Sequence, residues 1–412
     1  MPRQDPGRPW ARPLFFNTPS QRVALARQQL FEEGQRPSGL VPEGVLQSWL
    51  RCLRQEPRTS RSLSFDPVTP SRLHSALSRN RPLLSASGEE LQALEHALSG
   101  TDCRVILTDS EGVIVHVTHH PLADQPLLGV AARLGVNLSE SAVGTTAPGL
   151  VAHTGQACSV MGAEHYYDCL QNFHCAAAPI RDIHGQLAGV LDLSIETRPF
   201  GFDAASLVGA YATAIENRLL KTQAREQLVL QFQAHPDLLD SVQQGLAGID
   251  DRGRLAWVNP AGRRLLGLAQ HPPHEDIGTS LGLDLADLLA LSHHAQPQAR
   301  RLDNGLTVWL RVRLQAPDGL PRLQAIGGPA RPSAPATAVP SRPPEPSSAP
   351  TTEDASQVAE TRHPLHEHSR QHIEAALAQA GGNITRAARA LGVSRGLLYR
   401  RLKSRIPPTG PD

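Results

Sequence analysis

Arg104-Val105-Ile106-Leu107-Thr108-Asp109-Ser110-Glu111-Gly112-Val113-Ile114-Val115-His116-Val117 is the stretch from which the fold is read. Two runs rich in β-branched residues flank a short polar turn ending in glycine, the pattern of a β-hairpin. A second hairpin follows, in which Ala178-Pro179-Ile180-Arg181 enters the turn Asp182-Ile183-His184-Gly185 and leaves through Gln186 to Ile195. Helical periods stand on either side. Upstream they run from Gln21 to Phe31, through Val45, Leu46, Trp49, Leu50 and Leu53, from Ser71 to Leu77 and from Glu89 to Leu98; downstream a long one runs from Phe202 to Lys221 with Val208, Tyr211, Ile215 and Leu219 on one stripe. Trp49 and Cys52, three residues apart, share a helix face and read as core packing. Antiparallel strands among helices predict an α+β sensor-like domain, and its middle, Glu140 to Cys175, is a long polar and aromatic connection able to close over a pocket.

A smaller unit of the same texture begins at His235. Leu246 to Ile249, the turn Asp250-Asp251-Arg252-Gly253 and Arg254 to Val258 form another hairpin, and Asn259-Pro260 opens a helix through Gly267. Later strands are expected at 305–315 and 320–326. Residues 327–363 are rich in Pro, Ala and Ser without any period, which predicts a flexible tether.

The C-terminal stretch names an activity. In Gly381 to Lys403, Asn383 and Ser394 are N-cap residues for two short helical patterns that meet at Gly392. Ala387, Ala388 and Leu391 give the first helix a small inner face, and Val393, Leu398 and Leu402 give the second an apolar one. This is the pattern of a helix-turn-helix, whose second helix enters the DNA major groove. From Arg362 to Arg405 nine Lys or Arg stand against two Glu, whereas the whole chain of 412 residues is only +1. A basic module on a mildly acidic remainder suits phosphate binding. The expected DNA contacts are Asn383, Thr385, Arg386, Ser394, Arg395, Tyr399, Arg400, Arg401 and Lys403. The competing reading is a solvated basic face on a small helical bundle.

Length and composition bound the rest. The chain is long enough for two or three cores. Its five cysteines are an odd number in a large chain, which argues against a disulfide framework and for a reducing, cytoplasmic setting. No signal-peptide pattern and no membrane-length apolar run is visible, so no membrane partner is expected. Arg supplies 38 of the 40 basic residues, a skew we read as genomic base composition.

Gly382 to Leu398 resembles the DNA-binding domain of the Fis family, which implies a homodimeric domain on double-stranded DNA with Ile373, Ala376 and Leu377 helping to pair subunits. Ser139 to Thr146, Val160 to His165, Cys175 to Ile180 and Gly189 to Ser194, with Ser48-Trp49-Leu50-Arg51-Cys52 upstream, resemble the GAF-containing half of acetoin-catabolism-type, sigma-54-dependent transcriptional activators. Thr146 stands where that pattern has asparagine. Residues from 235 resemble, more loosely, the opening of a PAS domain. The resulting expectation is a multidomain α+β chain: 1–80 an N-terminal helical region, 81–200 a GAF-like sensor, 201–234 a signalling helix, 235–326 a PAS-like domain, 327–363 the tether and 364–406 the all-α helix-turn-helix domain.

The resemblance implies a small-molecule effector held around Gly144, Thr145, Thr146, His165, Cys175 and Asp192, with RNA polymerase as a further partner. His165, Cys169, His174 and Cys175 lie within eleven residues, and zinc or iron accepts such donors. The spacing is not that of a knuckle, and adjacent His174 and Cys175 point apart on a strand, so no metal and no cofactor is expected. Redox sensing at Cys169 or Cys175, a GAF-type thiol enzyme and an architectural DNA-binding protein are the competing classes. Activators of the sigma-54 kind usually carry an ATPase domain, whose phosphate loop is Gly-x-x-x-x-Gly-Lys-Ser/Thr. Lys221 and Lys403, the only lysines, both follow leucine without glycine neighbours, and no Gly-Ala-Phe-Thr-Gly-Ala loop is present. The expectation is therefore a regulator that is not an enzyme.

Overall fold

Three aspartate-led turns set the strands in place. The Oδ1 of Asp109 accepts from the N–H groups of Glu111 and Val113, that of Asp182 from His184 and Gln186, and that of Asp250 from Arg252 and Arg254. In each turn the fourth residue is a glycine with φ between +73° and +86°, a left-handed conformation that a Cβ would strain. The computed structural model describes residues 18–118, 125–225, 227–268, 277–294 and 296–314. The tether, the helix-turn-helix stretch and the strand expected at 320–326 lie outside the described residues.

The described chain runs α1 (Pro19–Arg27), a π turn (Gln28–Glu32), α2 (Glu43–Gln55), α3 (Pro70–Arg79), α4 (Arg81–Ala97), β1 (Arg104–Asp109), β2 (Ile114–Val117), α5 (Pro126–Ala131), α6 (Glu140–Val143) and α7 (Ala147–Thr154). Next come β3 (Cys158–Met161), β4 (Phe173–Arg181), β5 (Leu187–Glu196) and α8 (Ala204–Gln223). These strands form one antiparallel sheet in the order β2-β1-β5-β4-β3. Because strand side chains alternate, the sheet carries two cores. Val105, Leu107, Ala176, Ala178, Leu191, Leu193 and Ile195 face one way and bury against α4 and the Val208, Ala212, Ile215, Leu219 stripe of α8. Ile106, Cys175, Ala177 and Val190 face the other way, toward α1, α2 and the α5–α7 segment.

Two expected boundaries give way. Residues before 80 are not a separate helical region, since Val23, Leu30, Leu46 and Trp49 share one core with Ile106 and Val143. The period of α2 marks an apolar face, and only the sheet opposite it reveals what that face covers. Nor does a helix fill 201–234: α8 stops at Gln223, and Leu228–Gln233 is a strand, β6. Its sequence alternates only over Leu230-Gln231-Phe232-Gln233, a run too short to set it apart from the helical pattern just before it.

The second sheet combines β6 with β7 (Gly245–Ile249), β8 (Leu255–Val258), β9 (Gln298–Arg301) and β10 (Thr307–Leu314) in the order β8-β7-β6-β10-β9. β6 stands at its centre, between β7 and β10. Short helices α9 (Pro260–Leu266), α10 (Ile277–Leu281) and α11 (Leu285–Ser292) accompany it, and Leu230, Phe232, Leu288 and Leu310 lie in its core. Helix α8 joins the two sheets. Glu216 accepts from the Arg181 N–H at 2.8 Å on the first side, while Asn217 donates to Val242 O at 3.1 Å and accepts from Asn259 Nδ2 at 2.8 Å on the second. In β7, Gly248 pairs across the strands with Trp257, and a Cβ there would fall 2.0 Å from Trp257 Nε1. Gly248→Ala therefore displaces the indole, breaks its 2.8 Å bond to Gln227 Oε1 and costs about 1–3 kcal/mol, measurable by urea denaturation.

Candidate functional site: a buried cavity on one face of the first sheet

Antiparallel register assembles the site. Ala177 pairs with Asp192 and Cys175 with Ser194 across β4 and β5, and Ile106 of β1 pairs with Asp192 from the other side. Asp192 and Ser194, two residues apart, share the face that carries Cys175. Over this face lies a small, narrow cavity of about 30 Å³. Its apolar wall includes Phe65, Ile106, Leu128, Leu138, Val143 and Phe173, and its polar members are Thr146, His165, Cys175, Asp192 and Ser194.

The polar members form a chain. His165 Nδ1 lies 2.9 Å from Gly162 O, and its Nε2 lies 3.6 Å from Cys175 Sγ. Ser194 Oγ is 3.1 Å from the same sulfur and 2.7 Å from Asp192 Oδ2. Burial controls every charge here. It pushes the imidazole of His165 down to about 4, so the ring is neutral at pH 7. It raises the Asp192 carboxyl to about 7 against the opposing bond from Ser194. The Cys175 thiol is pushed well above its ordinary value, again by burial, with nearby Asp192 adding to it. The site is thus built of neutral hydrogen-bonding groups around one carboxyl poised between its two forms.

Four of the six expected effector residues, Thr146, His165, Cys175 and Asp192, line the cavity, and two do not. Thr145 is buried toward α2, 2.7 Å from Ser48 Oγ and 3.8 Å from Cys52 Sγ. Gly144 has φ +72°, and a Cβ there would meet the Tyr167 ring at 2.9 Å. Both fix the path of the chain. Thr146 also caps α7, accepting from Gly149 N–H at 3.2 Å. Ser194 was missed by sequence reading, although its two-residue offset from Asp192 places it on the same face. The apolar wall comes from segments as distant as Phe65 and Leu170, which no local pattern joins.

Contacts of α2 hold the loop that forms one rim. Arg51 Nε and Nη2 each donate at 2.6 Å to the carboxylate of Glu140, Ser48 Oγ donates to the same carboxylate at 2.6 Å, and Trp49 Nε1 donates to Glu164 O at 2.7 Å. The Ser-Trp-x-Arg-Cys run thereby grips both ends of the 140–165 connection, a role its helical period alone did not reveal.

The cysteines are all free. Burial raises the thiols of Cys169 and Cys158, the latter to about 12. A raised thiol holds little thiolate at pH 7, which disfavours nucleophilic or redox chemistry. Among the described residues no group of three His, Cys, Asp or Glu side chains is gathered to hold a metal ion. Nor does any described helix have the length and apolarity to cross a membrane. The nine expected DNA contacts, from Asn383 to Lys403, lie outside the described residues.

An α+β domain with a buried polar-lined cavity, in one chain with a helix-turn-helix pattern, defines the class of sensor-coupled regulators. Comparison with known proteins sharpens this. Residues 18–214 match the family model described as MimR, N-terminal domain, and residues 365–404 match that described as Bacterial regulatory protein, Fis family. The chain is 30% identical to the Acetoin catabolism regulatory protein of Cupriavidus necator over 55% of this chain and 35% of that protein. It is also 30% identical to the Propane 2-monooxygenase operon transcriptional activator MimR of Mycolicibacterium goodii, over 50% of this chain and 34% of that one. The matched regions span about a third of the length of these relatives. Among solved structures, the crystal structure of the E. coli DhaR(N)–DhaL complex is similar at 19% identity and a TM-score of 0.42, covering 66% of this chain and 99% of that one. The homologues of this chain include transcriptional regulators of the acetoin-catabolism and MimR type, and its C-terminal stretch is similar to the Fis family of bacterial regulatory proteins.

Proposed function

We propose that the protein is an effector-responsive transcriptional regulator that binds double-stranded DNA as a homodimer through the Fis-type stretch and acts without hydrolysing ATP. The observation that carries this reading is the coexistence, in one chain, of the buried Asp192–Ser194–Cys175–His165 cavity and the match at residues 365–404. A small molecule in the cavity touches Thr146 and Val143, which follow within six residues of Glu140, whose carboxylate α2 grips. On the sheet's opposite face α8 is tied to the second domain. Occupancy at the front of the sheet is thus mechanically connected to the elements that continue toward the C-terminus, and it shifts the population of dimer arrangements that fit a given half-site spacing. The stretch between the two matched regions contains no phosphate loop of the kind an ATPase needs, which supports action through binding alone.

The test is DNA binding by the full chain, beside an Arg395→Ala/Arg400→Ala double variant, against its own upstream region. The wild type is expected to bind at physiological salt and the variant to bind about 10- to 100-fold more weakly. Equal binding by the two would remove the recognition-helix assignment.

A further inference from the structure

We infer that the open groove between the α3–α4 corner, the β4–β5 turn and the C-terminal end of α8 binds a small oligophosphate. The ligand is a chain of two or more linked phosphates, free or as the tail of a nucleotide, and it is held through those phosphates alone. The groove is separate from the buried cavity, and its assignment does not rest on the reading of that cavity as an effector site.

The groove encloses about 740 Å³. Arg79, the last residue of α3, and Arg81 and Ser85, in the first two turns of α4, form one wall. His184 comes from the β4–β5 turn, and Gln223 and Arg225 come from the end of α8. No Asp or Glu stands among the described lining residues, so three guanidinium groups share one concavity without a carboxylate between them. Arg81 and Arg225 have no ion pair among the described residues. Arg79 has only an exposed contact of 3.4 Å to Glu111, whose carboxylate Arg72 also holds at 3.1 Å. Asp182, which opens the β4–β5 turn, is spent on its own loop, where its Oδ1 accepts from the N–H groups of His184 and Gln186. Like charges gathered this way repel, and a bound polyanion relieves them.

The backbone adds to the field. Helix α4 has 17 residues and no side-chain cap, since Asn80 turns its amide back to Ala76 O at 2.8 Å. Its first N–H groups, beside Arg81, are left for an anion. The carbonyl end of α8 also reaches the groove and opposes this, but a helix end carries only about half a charge, against three guanidiniums. The walls are fixed before anything binds. Arg218 on α8 pairs with Glu89 at 2.8 Å and Glu90 at 3.4 Å on α4, and Gln223 Oε1 accepts from the Ile183 N–H at 3.0 Å, which ties the turn to the helix end. Donors positioned in advance lose little freedom on binding.

The same inventory sets the ligand class. Guanidinium forks match phosphate oxygens in pairs, and three of them call for more than one anionic group. No Phe, Tyr or Trp is found among the described lining residues, so a nucleobase has no such ring to stack on. A concave notch admits a short chain of phosphates and not the broad face of a duplex.

Calorimetric titration of the full chain in metal-free buffer at constant ionic strength tests this with orthophosphate, tripolyphosphate, ATP and citrate. Tripolyphosphate is expected to bind at least about tenfold more tightly than orthophosphate or citrate, and ATP no more tightly than tripolyphosphate. Arg81→Gln/Arg225→Gln should lose at least about tenfold in tripolyphosphate affinity with an unchanged melting temperature, since both side chains are exposed. Arg395→Ala/Arg400→Ala, in the basic C-terminal stretch, should leave that affinity unchanged. Equal binding by the wild type and Arg81→Gln/Arg225→Gln overturns the proposal, as does loss of binding in the Arg395/Arg400 variant. Citrate that binds as tightly as tripolyphosphate, or ATP that binds clearly more tightly, overturns it too. Failure to bind tripolyphosphate has the same force, and a loss of DNA affinity in the Arg81/Arg225 variant would then assign the groove to nucleic-acid phosphates.

Discussion

Trp49→Ala lowers the unfolding free energy by about 3–5 kcal/mol, the range for truncating a large buried aromatic. Trp49 is 0% exposed in the core shared by α1, α2 and the first sheet, and its ring lies 5.3 Å from that of Phe31. Alanine leaves a cavity there and also removes the indole N–H that donates to Glu164 O at 2.7 Å. Trp49→Phe separates the two contributions. It keeps most of the packing and loses the N–H, so its cost should be about 1–3 kcal/mol. Urea denaturation followed by far-UV circular dichroism measures both, and a loss under 1 kcal/mol for the alanine variant would mean that α2 does not close this core. Because Glu164 precedes His165, the same variant should also weaken ligand binding in the cavity.

Asp192→Asn is expected to stabilise the protein at pH 8 and to leave it nearly unchanged near pH 4. The carboxyl has a folded value of about 7 against an ordinary 3.8, raised by burial. A group raised on folding contributes stability that is present below its unfolded value and is lost as pH climbs through the folded one. The wild type therefore loses stability between about pH 4 and pH 7 from this group, and asparagine does not titrate. The shift converts to roughly 4 kcal/mol as an upper figure at pH 8. His165 has the opposite sign. Its folded value is depressed to about 4 by burial, so its contribution is present above 6.5 and lost as pH falls toward 4. It is retained in both proteins and cancels in the difference. Melting curves of the two proteins from pH 4 to 8 give the comparison, and a difference that does not grow with pH would contradict a buried, poised carboxyl.

Much of this molecule can be read from local pattern. The turns at Asp109, Asp182 and Asp250 are short-range devices, each an aspartate bonding its own backbone ahead of a left-handed glycine, so the three hairpins stand out in sequence. Helix α8 is visible from its apolar stripe for the same reason. Strand β6 was not, because its alternation spans only Leu230 to Gln233, and what fixes it as a central strand is pairing with β7 and with β10 far along the chain. The N-terminal boundary failed for a related reason: the apolar face of α2 is local information, whereas its partner, the opposite side of the first sheet, lies far along the chain.

The site divides along the same line. Sequence by itself determined that Cys175 and Asp192 lie on strands, that His165 lies in the connection before them, and that a basic helix-turn-helix pattern ends the chain, since these depend on residue type and spacing over a few positions. Only the tertiary structure decided that β4 and β5 pair in the register that sets Ser194 between Cys175 and Asp192, that Thr145 turns to Ser48 and away from the cavity, and that Oδ1 of Asp192 is left without a donor. Register, and the burial that shifts both His165 and Asp192 toward neutrality, are properties of packing between distant segments, so no short window of sequence contains them.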